Sequence, residues 1–130
     1  MAGVTPFLMF EGRAEEAMRF YAEVVPRSEI TQLERYGSDG PGPEGTVSAG
    51  RLVLDGLEVM FYDSFMHHDF TFTPSVSLFV HCESADEVDR LADALSAGGS
   101  VLMPTGDYGF SKRFAWVTDR FGVSWQVNAA

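Results

Sequence analysis

The chain repeats itself once, and that repetition constrains its fold more than any single motif. A shift of 70 residues lays Leu8, Met9 and Phe10 on Leu78, Phe79 and Val80, and Met18 on Val88. The later hairpins correspond at a smaller offset because the second half has shorter loops. Each half reads as strand, helix, then three strands. A β-α-β-β-β unit has one sheet face covered by its helix and one bare, so two units have to pair to bury or enclose something. The expected fold class is α+β: two tandem β-α-β-β-β modules, module 1 over about residues 4–63 and module 2 over about 75–128, in a single domain of residues 1–130.

The elements follow from local pattern. PFLMF (residues 6–10) is an apolar run too short for a helix and suits a buried strand. Ala14, Ala17, Met18, Tyr21, Ala22 and Val25 then form one helical stripe, with Glu15 and Glu16 in the first turn, where the helix dipole favours anions. Pro26 ends that helix, because the residue before a proline is pushed out of the α region. Ile30 to Tyr36 predicts an exposed strand, and Thr46–Leu54 with Leu57–Tyr62 predicts a hairpin closed by Asp55-Gly56, since both central positions of a type I′ turn need positive φ. In the second half Ser75–Val80 predicts a strand, Ser84 with Glu87 a capping box, and Val88, Leu91, Ala92 and Leu95 the stripe of a second helix stopped by Gly98 and Gly99. Val101–Met103 is expected as a brief strand, Pro104–Arg113 as a loop, and FAWVTDRFGVSWQV (residues 114–127) as the closing hairpin, carrying both tryptophans.

Composition removes several function classes. A chain of 130 residues buries roughly two thirds of its unfolded surface and needs no staple. The single cysteine, Cys82, excludes an internal disulfide and a cysteine-built zinc site, which suits a reducing compartment. A formal charge of −10 repels phosphate backbones, so no nucleic acid partner is expected. MAGVTPFLMF lacks a basic leader region, and no apolar run approaches the ~20 residues of a membrane span. The expected setting is cytoplasmic, with no membrane partner. A formal G-x-G-x-x-G at Gly40, Gly42 and Gly45 contains two prolines and precedes a strand, so no helix N-terminus is there to receive a pyrophosphate.

Four stretches carry a family resemblance: F-L-M-F-x-G-x-A-E-E-A-x-x-F-Y (Phe7–Tyr21), P-G-P-E-G-T-V (Pro41–Val47), S-L-F-V (Ser77–Val80) and F-A-W-V-x-D-R-F-G-V-S-W-Q (Phe114–Gln126). They resemble the PhnB-like branch of the vicinal oxygen chelate superfamily, which includes glyoxalases, bleomycin-resistance proteins and dihydroxybiphenyl dioxygenases. Members of this branch often carry a demethylubiquinone methyltransferase label; the glycine-rich strand-to-helix turn of a conventional methyltransferase is not found in this sequence. The resemblance implies paired modules whose curved mixed sheets enclose a cavity, commonly in a homodimer. In metal-dependent relatives it implies ligands near Pro6, Val59 or Met60, Ser75 and Gln126. A proline, an aliphatic, a hydroxyl and an amide are a poor set for a hard divalent cation, and a register slip adds only Glu58. No cofactor and no metal are therefore expected.

Several side chains remain as candidates. Asp63, just past the fourth strand, is the best-placed carboxylate for a desolvated base, or else a strand-end cap. Ser75, Ser77 and Gln126 can hydrogen-bond a ligand or satisfy one another, and Trp116 and Trp125 can be core or cavity wall. Adjacent His67 and His68 point opposite ways on an extended segment and suit a loop surface better than a chelate, while His81 suits a structural role. Lys112 and Arg113 can pair an acidic ligand or offset Asp107 and Asp119. The expected function is metal-free binding of a small hydrophobic or aromatic ligand by Asp63, Ser75, Ser77, Trp116, Trp125 and Gln126, with proton transfer by Asp63 if there is chemistry. The alternatives are a metal-dependent lyase or dioxygenase using His67, His68 or His81, and a dimeric module whose cavity is filled by its own side chains.

Overall fold

The computed structural model describes residues 2–130, which divide into two compact units after His68. In unit 1 the elements are β1 (Phe7–Phe10), α1 (Ala14–Val24), β2 (Ser28–Arg35), β3 (Val47–Leu54) and β4 (Leu57–Asp63). Their sheet has the order β1-β4-β3-β2, with β1 parallel to β4 and the other neighbours antiparallel. The predicted stripe on α1 is the one buried: Ala14, Ala17, Met18 and Tyr21 are fully inaccessible. Gly50 on β3 lets that stripe approach, for a Cβ there would lie 2.7 Å from the Met18 sulfur. Helix α1 stops at Val25, which is extended ahead of Pro26. Asp55 and Gly56 have φ of 46° and 95°, the left-handed pair that the β3–β4 turn requires.

Unit 2 contains β5 (Ser77–His81), α2 (Ala85–Ser96), β6 (Ser100–Gly106), β7 (Arg113–Thr118) and β8 (Ser124–Ala129). The order β5-β8-β7-β6, with β5 parallel to β8, repeats the topology of unit 1. Ser84 caps α2 by accepting from Glu87 N–H at 3.1 Å, and the Glu87 carboxylate reaches back to Glu83 N–H at 3.0 Å. Gly99 has no alternative at the next turn, because a Cβ would lie 2.0 Å from the carbonyl oxygen of Thr118.

The α+β class with two mixed sheets is as expected, but β6 is longer than the brief strand predicted and runs through Pro104. Its position explains this: β6 is an edge strand, and its pairing with β7 shifts register on both sides of Met103. A proline lacking an N–H is tolerated at such an interrupted edge. Strand β5 starts at Ser77, which leaves Ser75 in the preceding connection. Among the described residues no helix is long and apolar enough to cross a membrane.

Candidate functional site

Residues paired directly across a sheet share a face, so the strand register sorts the candidates. In unit 2 Ser77 pairs with Ser124, Phe79 with Gln126, Trp116 with Gln126 and Thr118 with Ser124, which puts these side chains on one face. Leu78, Val80, Ala115, Val117, Trp125 and Val127 occupy the other, and helix α2 packs on β7 and β8. The two tryptophans are thereby separated. Trp125 is buried and its indole N–H donates to Asp119 Oδ2 at 2.9 Å, whereas Trp116 lies on the face away from the helix. Trp125 thus belongs to the core and not to the candidate set.

On the face away from α2 four of these side chains form a connected chain. Trp116 Nε1–H donates to Ser124 Oγ at 2.8 Å, Ser124 and Ser77 share a hydroxyl–hydroxyl bond of 2.7 Å, and Gln126 Nε2 donates to Ser77 Oγ at 3.2 Å. Ser124 is almost completely buried, while Ser77, Trp116 and Gln126 are half-buried. Three predicted candidates, Ser77, Trp116 and Gln126, therefore meet. Ser124 was not anticipated, and the signal for it was period-two alternation, since it stands two residues before Gln126 on the same strand. Ser75 lies outside the chain and bonds Thr73 at 2.7 Å.

Asp63 has a different task. Its Oδ1 accepts from Gly12 N–H at 2.7 Å and Ala14 N–H at 3.0 Å, and its Oδ2 accepts from Val47 N–H at 2.9 Å. Both oxygens of this buried carboxylate tie the β1–α1 turn to the start of β3, so of the two readings the sequence left open, base or cap, the geometry is that of a cap. Asp119 does equivalent work in the β7–β8 turn, accepting from Phe121 N–H and Val123 N–H as well as from Trp125.

The histidines do not converge. Glu11 Oε1 lies 3.1 Å from His67 Nδ1, and that contact holds the Glu11 carboxyl below its usual range. His68 Nε2 lies 2.9 Å from Ser64 Oγ, and His81 stands beside Phe79 with ring centroids 5.0 Å apart. Arg113 pairs with Asp89 at 2.8 Å rather than with Asp107 or Asp119, and Lys112 is exposed. Burial, followed by the charge of Glu87, pushes the Cys82 thiol up to about 11. Among the described residues no three His, Cys, Asp or Glu side chains are grouped to hold a metal.

Register also corrects the correspondence expected of a metal site. Gln126 pairs with Phe79 as Tyr62 pairs with Met9, so the unit 1 counterpart of Gln126 is Tyr62, not Val59 or Met60. Val59 is fully buried, on the face it shares with Leu52, and Pro6 and Ser75 precede their strands. The amide, phenol, thioether and phenyl groups at the matched positions do not fit a hard divalent cation.

Two β-α-β-β-β units of this topology define the class of the glyoxalase/bleomycin-resistance fold. A glyoxylase/bleomycin resistance protein/dioxygenase domain from Frankia sp. EAN1pec superposes with a TM-score of 0.68 at 18% identity, covering 100% of this chain and 93% of that one. Within the class, residues 2–128 match the 3-demethylubiquinone-9 3-methyltransferase family, and the chain belongs to that PhnB-like family. The PhnB protein from Bacillus cereus is 50% identical with a TM-score of 0.94 over 98% of both chains. Protein PA1353 from Pseudomonas aeruginosa is 30% identical with a TM-score of 0.85, covering 99% of this chain and 98% of that one.

Proposed function

We propose that the protein binds a small hydrophobic or aromatic molecule, without a metal ion, against the face of its second sheet that lies away from α2. One observation carries this reading: the hydrogen-bonded chain Trp116–Ser124–Ser77–Gln126 on that face. A polar chain on a sheet face costs desolvation unless its members are satisfied, and this one ends on half-buried groups able to bond a ligand. Phe79 and Trp116 flank Gln126 on the neighbouring strands and supply apolar surface.

The same reading separates the protein from methyl transfer by a conventional nucleotide-like cofactor. Such a cofactor needs open backbone amides where a strand enters a helix. Here Gly12 and Ala14 N–H are taken by Asp63, and Glu83 and Glu87 N–H by the Glu87 and Ser84 side chains. We also take the working assembly to be a homodimer, which light scattering on the eluted protein checks by returning the mass of two chains.

Thermal unfolding against a panel of small aromatic compounds tests the binding reading. A ligand at about 100 times its Kd stabilises by about 2.7 kcal/mol. The shift should be lost in Gln126→Leu and kept in a unit 1 surface variant such as Glu58→Gln. No shift with any compound, or a shift indifferent to Gln126→Leu, overturns the reading, as does a stoichiometric transition metal whose removal abolishes binding.

A further inference from the structure

The hydrogen-bonded chain has a direction, and the direction specifies what it can hold. The indole N–H of Trp116 can only donate, so Ser124 Oγ accepts it at 2.8 Å. Ser124 is 1% exposed, and its own proton has one acceptor within reach, Ser77 Oγ at 2.7 Å. A buried hydroxyl proton left without an acceptor is unfavourable, so Ser124 donates to Ser77. Gln126 Nε2 also donates to Ser77 Oγ. Ser77 therefore accepts twice, its lone pairs are filled, and its own O–H is left to donate outward. Among the described residues Gln126 Oε1 has no hydrogen-bond partner. The outer edge of the chain thus presents one hydroxyl donor beside one amide acceptor, between Phe79 and Trp116.

We infer that this site takes an uncharged ligand edge in which an acceptor oxygen adjoins an N–H, as in a primary carboxamide or a lactam, carried on an apolar or aromatic body. The inference rests on the binding reading above and narrows it to a ligand class. A carboxylate fits worse on two counts: it can accept from Ser77 but sets its charge against Gln126 Oε1, and it approaches a chain of net charge −10. An N,N-dialkyl amide keeps the acceptor and loses the donor, so it leaves Gln126 Oε1 unsatisfied beneath the ligand.

Calorimetric titration of the full chain with benzamide, N,N-dimethylbenzamide and benzoate decides the matter. Benzamide should bind roughly tenfold more tightly than either of the others, the discrimination one buried hydrogen bond supplies. In Gln126→Leu the preference for benzamide over its dimethyl analogue should vanish, with thermal unfolding confirming that the variant is folded. The wild-type series stands by itself should that variant fail to fold. Tighter binding of benzoate overturns the inference, because it requires a reversed Gln126 amide with both N–H groups outward. Equal binding of the two amides overturns it too. If none of the three binds while other aromatics in the thermal panel do, the ligand class is wrong and the binding reading survives. If nothing in either set binds, the binding reading itself fails.

Discussion

On the sheet face away from α1, unit 1 carries Phe7, Met9, Met60 and Tyr62; at the matching places in unit 2 stand Ser77, Phe79, Ser124 and Gln126. The first set is apolar apart from one phenol, and the Phe7 and Tyr62 rings pack against each other at a tilt of 35° with centroids 4.9 Å apart. The second is mostly polar and internally hydrogen-bonded. Both sets stand on the same parallel strand pair beside the same kind of helix-covered core. The strand ladder and the helix packing therefore do not require serines and a glutamine there, since unit 1 builds the same architecture without them. What the fold does not demand in one copy is the best candidate for function in the other.

The two units also place their buried carboxylates differently. Asp63 sits at the end of β4 and holds a strand-to-helix turn, while Asp119 holds the β7–β8 turn and an indole. The matching turn in unit 1 needs no such clamp, because Asp55 and Gly56 adopt the two left-handed conformations of a tight hairpin. The largest expected effect follows. Asp119→Ala and Asp63→Ala each strand three donors and should each cost roughly 3–5 kcal/mol in urea unfolding. A loss below about 1 kcal/mol in either would mean that backbone turn geometry, not the carboxylate, holds that unit together.

Next come the two close approaches. Gly99→Ala drives a Cβ into a backbone oxygen and should cost about 3 kcal/mol, whereas Gly50→Ala meets the flexible end of Met18 and should cost about 1 kcal/mol. Equal losses would show that α1 is held as rigidly as the turn beside Thr118. Smaller again is Ser124→Ala, which leaves the Trp116 indole and Ser77 without their shared partner and should cost about 1–2 kcal/mol. A neutral result would place Trp116 outside the chain of bonds.

The surface should respond least. Hydrogen bonding from Arg27 holds the Asp55 carboxyl below its usual value, so the pair contributes stability above the unfolded pKa of aspartate and loses it as pH falls through the lower folded value. Both side chains are exposed, and Arg27→Ala should leave the melting temperature at neutral pH within measurement scatter. Cys82 offers a separate check on unit 2: with its thiol raised to about 11, alkylation should remain slow at pH 8 and accelerate only towards that value.

Much of this was legible in the sequence because it depends on local pattern. The stripe from Ala14 to Tyr21, the Ser84 cap with Glu87 and the Asp55-Gly56 turn each announce an element through neighbours a few residues away. Strand β6 was under-read because Pro104 argues against a strand unless the strand is known to lie at a sheet edge, and that is a property of the assembled sheet. The candidate site was half legible. Ser77, Trp116 and Gln126 could be named as polar or aromatic residues on strands, but which face each occupies depends on pairing register. A one-residue slip exchanges the faces, and for that reason Trp116 and Trp125 could not be separated from sequence. Whether Asp63 is a base or a cap stays open in the sequence for a related reason: the amides that occupy it come from residues 49, 51 and 16 positions away.

Because the two tryptophans lie on opposite faces, their indole N–H resonances give the most direct test of the account. Titration of the isotope-labelled protein with benzamide, followed by amide correlation spectra and with Trp116→Phe used for assignment, should move the Trp116 indole signal together with the backbone signals of Ser77, Ser124 and Gln126. The Trp125 indole, bonded to Asp119 in the core, should stay in place. Saturable binding that leaves Trp116 unmoved, or that shifts Trp125 or the Phe7 and Tyr62 signals of unit 1 instead, would contradict the assignment of function to the second sheet.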